Sequence, residues 1–430
     1  GDLMPVEAIE VILAAYPNAT TYKCNTSEIP LFIALHRRGE SRVEKVKLLL
    51  KADPSTAEYY DYSRQTYLLH LAAKENDVPV MKALVEASPK TAGFKNESSM
   101  LPLHAYLANH QDDNSIDIVS TLLNACPDAA VARDSNYYTP LHTLLLRDGG
   151  WKVNKRPLVE ILLKQDSGAC KLKDKDGNLP LHLAIELPNV SEEITLLIAD
   201  AYPDGCQVKD KDGNLPLHSA VEAKTFSTNV IEHIAGLYPE GCKVRDHDGN
   251  LPLHSAIERG DAMPVHVIEK LFEMYPEGAT VRDKEKNTPL HSAVETLHMN
   301  KLKGVQILLR AGSKACELSD AEGNKPLHSA IESKSFSKEA VRLIMEAYPK
   351  ALEYRDKEGN LPIHSAVENT TAIPRIDVET ITEMIKLYPD GCTVKDRDGN
   401  VPLVSTVECV HEIDRRYRIV KAMVDMCPKS

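Results

Sequence analysis

Apolar and polar positions along this chain follow one order, which returns every 36 to 40 residues over most of its length. The stretch 246–283 shows that order once. Asp246-His247-Asp248-Gly249-Asn250 is a polar run of turn formers, in which Asp bonds nearby backbone N–H groups and Gly takes positive φ without strain. Pro252 follows and suits the first turn of a helix, where its missing N–H would have had no partner. Leu253, Ala256 and Ile257 then fall at helical spacing and predict a short helix. Val267, Ile268, Leu271, Phe272 and Tyr275 form a better stripe and predict a second helix, ended by Pro276 and Gly278.

The turn and first helix recur almost verbatim, as DKDGNLPLHSAVE at 210–222 and DHDGNLPLHSAIE at 246–258. The histidine of this phrase, or the residue replacing it, falls at Phe32, His70, His104, His142, His182, His218, His254, His291, His328, His364 and Val404. Eleven repeats therefore fill the chain. A repeat of this size buries its apolar face only against its neighbours, which predicts a solenoid rather than separate globular domains. The repeats carrying His142 to His364 are strong, whereas the two N-terminal tips and the last repeat are degenerate, as capping repeats should be. At 43% apolar and 27% charged the composition is that of an ordered protein.

A turn, a short helix, a loop and a longer amphipathic helix, with Thr-Pro-Leu-His at 139–142 and 288–291 and Leu-Pro-Leu-His elsewhere, resemble the ankyrin repeat. The resemblance runs through all eleven repeats and implies an all-α ankyrin-repeat solenoid of helix-turn-helix units with hairpin-like tips, forming a single domain over 1–430. It also implies a protein-binding scaffold that uses the tips and the exposed face of the first helices. These repeats are longer than the family's usual ~33 residues, and the excess lies between the two helices, as at 223–229 and 296–303. Where the family has Thr three residues before the histidine, this chain mostly has Leu, at Leu101, Leu179, Leu215, Leu251 and Leu361. The ring must then find a backbone or water partner. A Tyr-Pro pair closes most second helices, and this dialect is similar to the long ankyrin repeats of diatom-type algae.

Residues 1–17 align with 260–276, so the chain opens on a half repeat, as expected of part of a longer protein. No run of 18 apolar residues is present, which predicts no membrane span. Cys170, Cys206, Cys242, Cys316 and Cys392 share one register just after the second helix. Stacked helices lie about 8–10 Å apart, beyond the roughly 7 Å limit for a disulfide, so these cysteines are expected to be free, small buried hydrophobes of a reducing, cytoplasmic setting. Equivalent histidines one repeat apart cannot converge on one metal ion. No catalytic motif stands out, and no catalytic residue, metal or cofactor is expected.

Charge supplies the candidate site. Four residues after the histidine register stand Glu186, Glu222, Glu258, Glu295, Glu332, Glu368 and Glu408, a ladder of carboxylates with Ser219, Ser255, Ser292, Ser329 and Ser365 three residues earlier on the same helix faces. The tips alternate base and acid, with Lys211 and Lys284 among the bases. Local pairing within each tip and a merely solvated ladder is one reading. The other is an acidic face, behind a net charge of −12, that holds a Lys/Arg-rich segment of a protein partner or a cationic polymer. Candidate partner-binding residues are Glu222, Glu258, Glu295, Glu332, Glu368, Lys211, Lys284 and Trp151, the last beside Lys152, Lys155 and Arg156 in a long loop. Nucleic acid is excluded as a partner because the bases are scattered. A non-enzymatic interaction scaffold is the expected function. The alternatives are an assembly element gripping cationic polymers and the targeting arm of a larger enzyme.

Overall fold

The computed structural model describes all residues except 1–4, 25–27, 37–40, 110–114, 148–154, 226, 296–300, 335, 369–375, 411 and 428–430. The described residues form 24 α-helices and one two-stranded hairpin, Tyr60–Asp61 with Thr66–Tyr67. They fall into two compact bodies, 1–211 and 212–430. The first body has a leading helix, Val6–Ala15, and five helix pairs, from Pro30–His36 with Arg42–Ala52 to Pro180–Glu186 with Glu192–Ala201. The second has six pairs, from Pro216–Glu222 with Thr228–Leu237 to Pro402–Cys409 with Ile413–Met426, and a short extra helix, Lys314–Glu317.

The pairing follows from which side chains each helix must hide. In Pro252–Glu258 every residue before the Glu is buried, because this helix lies between its own second helix and the first helices of both neighbouring repeats. Ala256 and Ser255 keep those backbones close. The longer Val265–Met274 buries only one stripe, Val267, Ile268, Leu271 and Phe272, as its periodicity predicts. Each such side chain contributes about 1.5–3 kcal/mol of burial.

The Tyr-Pro junction differs from expectation. Pro276 does more than end the helix: it opens a 3₁₀ turn, Pro276–Thr280, and most repeats repeat this arrangement. Gly278 is not there for an unusual exit conformation. A Cβ on it would lie 3.0 Å from the Tyr275 ring and 3.2 Å from Leu251, so the ring packed beneath the turn favours glycine, although Ala351 holds the same register after Tyr348.

Among the described residues, each tip from 61–66 onward turns through one left-handed residue, five before the histidine register. Glycine holds it at Gly177, Gly213, Gly249, Gly323, Gly359 and Gly399, with φ of +80° to +88°. Gln65, Ser99, Tyr137 and Lys286 hold it elsewhere, at φ of 53° to 66°. The tip is further fixed by its Asp: Asp246 Oδ1 accepts from the backbone N–H groups of Asp248 and Asn250, both at 2.8 Å.

The histidines tie successive repeats together. The ring stands at the third helical position, where His254 Nδ1 accepts the Leu251 backbone N–H at 3.1 Å, and His254 Nε2 donates to the Val281 carbonyl of the next repeat at 3.1 Å. Leu at the Thr position is thus answered by a backbone partner. Where Thr is kept, Thr139 and Thr288 add a hydroxyl contact at 2.8 Å to His142 and His291. Burial of the neutral ring, bonded through Nε2 to the next repeat, pushes His70, His104, His142 and His254 down to about 4.

One cysteine expectation is overturned. Cys170, Cys206, Cys242 and Cys316 are free and buried, their thiols pushed up to about 11 or 12 by desolvation. Cys392, however, is disulfide-bonded to Cys427, with Cα atoms 6.1 Å apart. The spacing argument compared equivalent positions one repeat apart. The bonded pair joins different registers, a 3₁₀-turn residue and the cap of the following helix, which lie closer together. Cys242 Sγ and Met274 Sδ, 4.0 Å apart, show a similar approach one residue earlier on the helix.

Candidate interaction surface

The Glu ladder stands at the last turn of each first helix, and in the second body Glu222, Glu258, Glu332 and Glu368 share one setting. The serine three residues before each Glu does not serve the Glu of its own helix. It reaches back to the preceding repeat: Ser255 Oγ donates to Glu222 Oε1 at 2.8 Å, Ser292 to Glu258 at 3.2 Å and Ser405 to Glu368 at 3.1 Å. Ser365 serves Glu332 in the same way. Close stacking of the first helices causes this, because it brings the buried hydroxyl of one repeat beneath the carboxylate of the repeat before it.

These carboxylates remain open to solvent at one side, yet they are not simply solvated. Surrounding protein displaces enough water to raise the pKa of Glu222, Glu258, Glu332 and Glu368, which outweighs the serine bond acting the other way. The tip acids add repulsion: Asp246 on Glu222, Asp283 on Glu258, Asp356 on Glu332 and Asp396 on Glu368. Glu295 is exposed.

Several charges elsewhere are paired between repeats. Across the second helices and their caps, Arg310 pairs with Glu269 at 2.5 Å, Lys338 with Asp377 at 2.5 Å, Arg342 with Glu383 at 3.3 Å and Arg418 with Glu379 at 2.6 Å, each bridging neighbouring repeats. None of the ion pairs among the described residues reaches Glu222, Glu258, Glu332 or Glu368. Arg259 lies near Glu222 but donates to its backbone carbonyl, at 2.7 Å.

Tip charges pair within one tip at Arg64 and Asp61, 2.7 Å apart, and between successive tips elsewhere. Lys211 Nζ meets Asp176 at 2.9 Å and Lys284 Nζ meets Asp248 at 3.6 Å, in each case an acid of the preceding tip. Arg355 donates to the Lys395 carbonyl of the following tip at 2.7 Å. Lys211 and Lys284 therefore link successive tips.

Trp151 and Lys152 lie outside the described residues, as does the loop 369–375. Their basic neighbours are committed internally. Lys155 is buried and donates to the Leu145 and Arg147 carbonyls at 3.3 and 3.0 Å, and Arg156 pairs with Glu160 and Glu193 at 2.8 and 2.9 Å. Sequence reasoning missed the backward reach of the serines, although the shared one-repeat spacing of Ser and Glu carried the signal.

Among the described residues no group of three His, Cys, Asp or Glu side chains is placed to hold a metal ion, and no helix is long and apolar enough to cross a membrane. The helix pairs, the tips and the ring bonds between repeats define an all-α, ankyrin-like repeat solenoid. No family model matches the chain, and no curated protein matches it. Among solved structures it is similar to the crystal structure of the ankyrin repeat protein EF0377, at 15% identity over 46% of this chain and 92% of that chain, with a TM-score of 0.38.

Proposed function

We propose that the chain is a non-enzymatic scaffold whose first-helix face, centred on Glu222, Glu258, Glu295, Glu332 and Glu368, binds a Lys/Arg-rich segment of a protein partner. One observation carries the reading: several acids on the second helices and tips form ion pairs with bases of neighbouring repeats, whereas four of these five Glu side chains have a serine and no ion pair with a base. An incoming cation would supply that missing charge. Lys211 and Lys284 would act by holding the tips in place, and Trp151 would be a separate anchor at the loop. The two bodies would serve as one repeat series.

The test is titration of a labelled Lys/Arg-rich peptide into the chain, beside a variant carrying Glu222→Gln, Glu258→Gln, Glu332→Gln and Glu368→Gln. Glutamine keeps the serine bond, so the fold is retained. At least tenfold weaker binding by the variant is expected, with affinity falling as salt rises. Equal binding by both proteins removes the ladder from the site. A multivalent amine that competes as well as the peptide would favour the cationic-polymer alternative.

A further inference from the structure

Among the described residues one repeat boundary is held by a covalent bond, and the residues that meet at the other boundaries show what that bond replaces. At two inner boundaries the tyrosine cap of a second helix rests against the turn of the preceding repeat. Lys171 Nζ lies 5.6 Å from the centre of the Tyr202 ring, and Lys243 Nζ lies 5.9 Å from that of Tyr275. Cys170 and Cys242 stand next to those lysines, and Cys242 Sγ comes within 4.0 Å of the sulfur of Met274, the neighbour of Tyr275. The same two registers recur at four boundaries as a free cysteine and a tyrosine: Cys170 with Tyr202, Cys206 with Tyr238, Cys242 with Tyr275 and Cys316 with Tyr348.

At Cys392 the turn cysteine is kept and the tyrosine is not. The following cap is Cys427, and a disulfide stands where the inner boundaries have a ring. Once reduced, this boundary has neither bond nor ring. What else holds Ile413–Met426 is modest: Arg415, Ile419, Ala422 and Met423 are buried out of its 14 residues, while Ile413, Tyr417 and Val424 are exposed. Its polar ties to the preceding repeat are Arg418 to Glu379 at 2.6 Å and Arg415 to the Ile376 carbonyl. The helix also covers Pro402–Cys409, which it meets where Thr406 Oγ1 lies 3.8 Å from Met423 Sδ. Pro402–Cys409 in turn carries Ser405, the donor to Glu368.

We propose that Cys392–Cys427 is a redox latch: a dithiol reductant opens it and lets Ile413–Met426, and with it Pro402–Cys409, unfold locally, and reoxidation closes it. A thiolate of the reductant attacks the half-buried Cys427 sulfur, because Cys392 is only 7% exposed. Cys392 leaves as a thiolate and takes up a proton. The second thiolate of the reductant then attacks the mixed disulfide and releases Cys427, which is protonated in turn. Two electrons and two protons pass to the protein, and the reductant is left as its own disulfide. The free thiols of Cys170, Cys206, Cys242 and Cys316 stay out of this exchange, since burial keeps them protonated. Opening the latch leaves Glu368 without its serine, which bears on binding only under the reading above.

Hydrogen exchange of the full chain, oxidised, reduced with dithiothreitol and reoxidised, tests the latch without any ligand. Exchange over 402–426 is expected to be at least tenfold faster after reduction, to recover on reoxidation and to stay unchanged over 216–347. A Cys427→Tyr variant, which restores the pairing of the inner boundaries, is expected to remain protected whether or not reductant is present. Equal protection of the oxidised and reduced parent would overturn the proposal, as would loosening that extends through 216–347. Mass spectrometry after alkylation reads the thiols directly, and finding Cys392 and Cys427 both alkylated before reduction would overturn it too. A Cys427→Tyr protein as loose as the reduced parent would show that the bond does not stand in for a ring. Peptide binding enters none of these outcomes, so failure of the latch and failure of the basic-segment reading are told apart.

Discussion

Ser255 Oγ donates to Glu222 Oε1 at 2.8 Å across a repeat boundary, so one bond both orients the carboxylate and holds two first helices in step. Removing the donor should loosen the boundary without dismantling a helix. Ser255→Ala is expected to cost about 0.5–1.5 kcal/mol, read as a lower urea midpoint with unchanged helicity. No change in the midpoint would leave the bond an orienting contact only.

Glu258 should oppose folding at neutral pH. Its folded-state pKa lies above 4.5, so its contribution is fully present below that value and is lost as pH rises through the raised pKa. Glu258→Gln, which can still accept from Ser292, is expected to be more stable than the parent at pH 7 and equal to it near pH 4. Parallel urea titrations at the two pH values check this.

The histidines act in the opposite sense. His70, His104, His142 and His254 fall to about 4 in the fold from 6.5, so the stability they confer is complete above 6.5 and is lost as pH falls towards 4. Each contributes up to roughly 3 kcal/mol by this linkage. The chain should therefore melt at progressively lower temperature between pH 6.5 and 4, with His254→Gln destabilised at pH 7 because the Leu251 N–H and Val281 carbonyl lose their ring partner. An unchanged melting temperature across this pH range would contradict the neutral-ring assignment.

The left-handed tip position gives a test with opposite signs. Lys286 holds it at φ 66°, so Lys286→Gly should relieve strain and gain about 1 kcal/mol. Gly249→Ala should lose about as much or more, since φ is +83° and the added Cβ would lie 3.0 Å from the Lys284 backbone nitrogen. Melting temperatures of the two variants should move in opposite directions.

The disulfide closes the chain across 35 residues of sequence. Cys427→Ser is expected to weaken the final repeat by about 2–4 kcal/mol, seen as faster hydrogen exchange over 402–426 with the earlier repeats unaltered. Added reductant should reproduce the effect in the parent and do nothing to the variant.

Much of the fold could be read from residues alone. The Leu-Pro-Leu-His phrase located the first helices, because Pro has one favourable place in a helix, and the stripe at Val267, Ile268, Leu271 and Phe272 matched the buried face. The reading of Gly278 failed because the reason for the glycine is the Tyr275 ring, a contact that pattern and propensity do not encode. The left-handed register was legible at Gly249 but hidden at Tyr137 and Lys286, whose residue types argue against it. The candidate site was legible as a row of acids, and its electrostatic state was not.

Sequence by itself determined the repeat, its two helices, the polar tips and the position of every Glu in the ladder, since these follow from short-range periodicity and turn chemistry. Tertiary structure alone decided which groups meet across a repeat boundary. Ser255 serves Glu222 rather than Glu258, Lys284 pairs with Asp248 and Cys392 bonds Cys427, because stacking offsets one repeat against the next by distances that no single repeat contains.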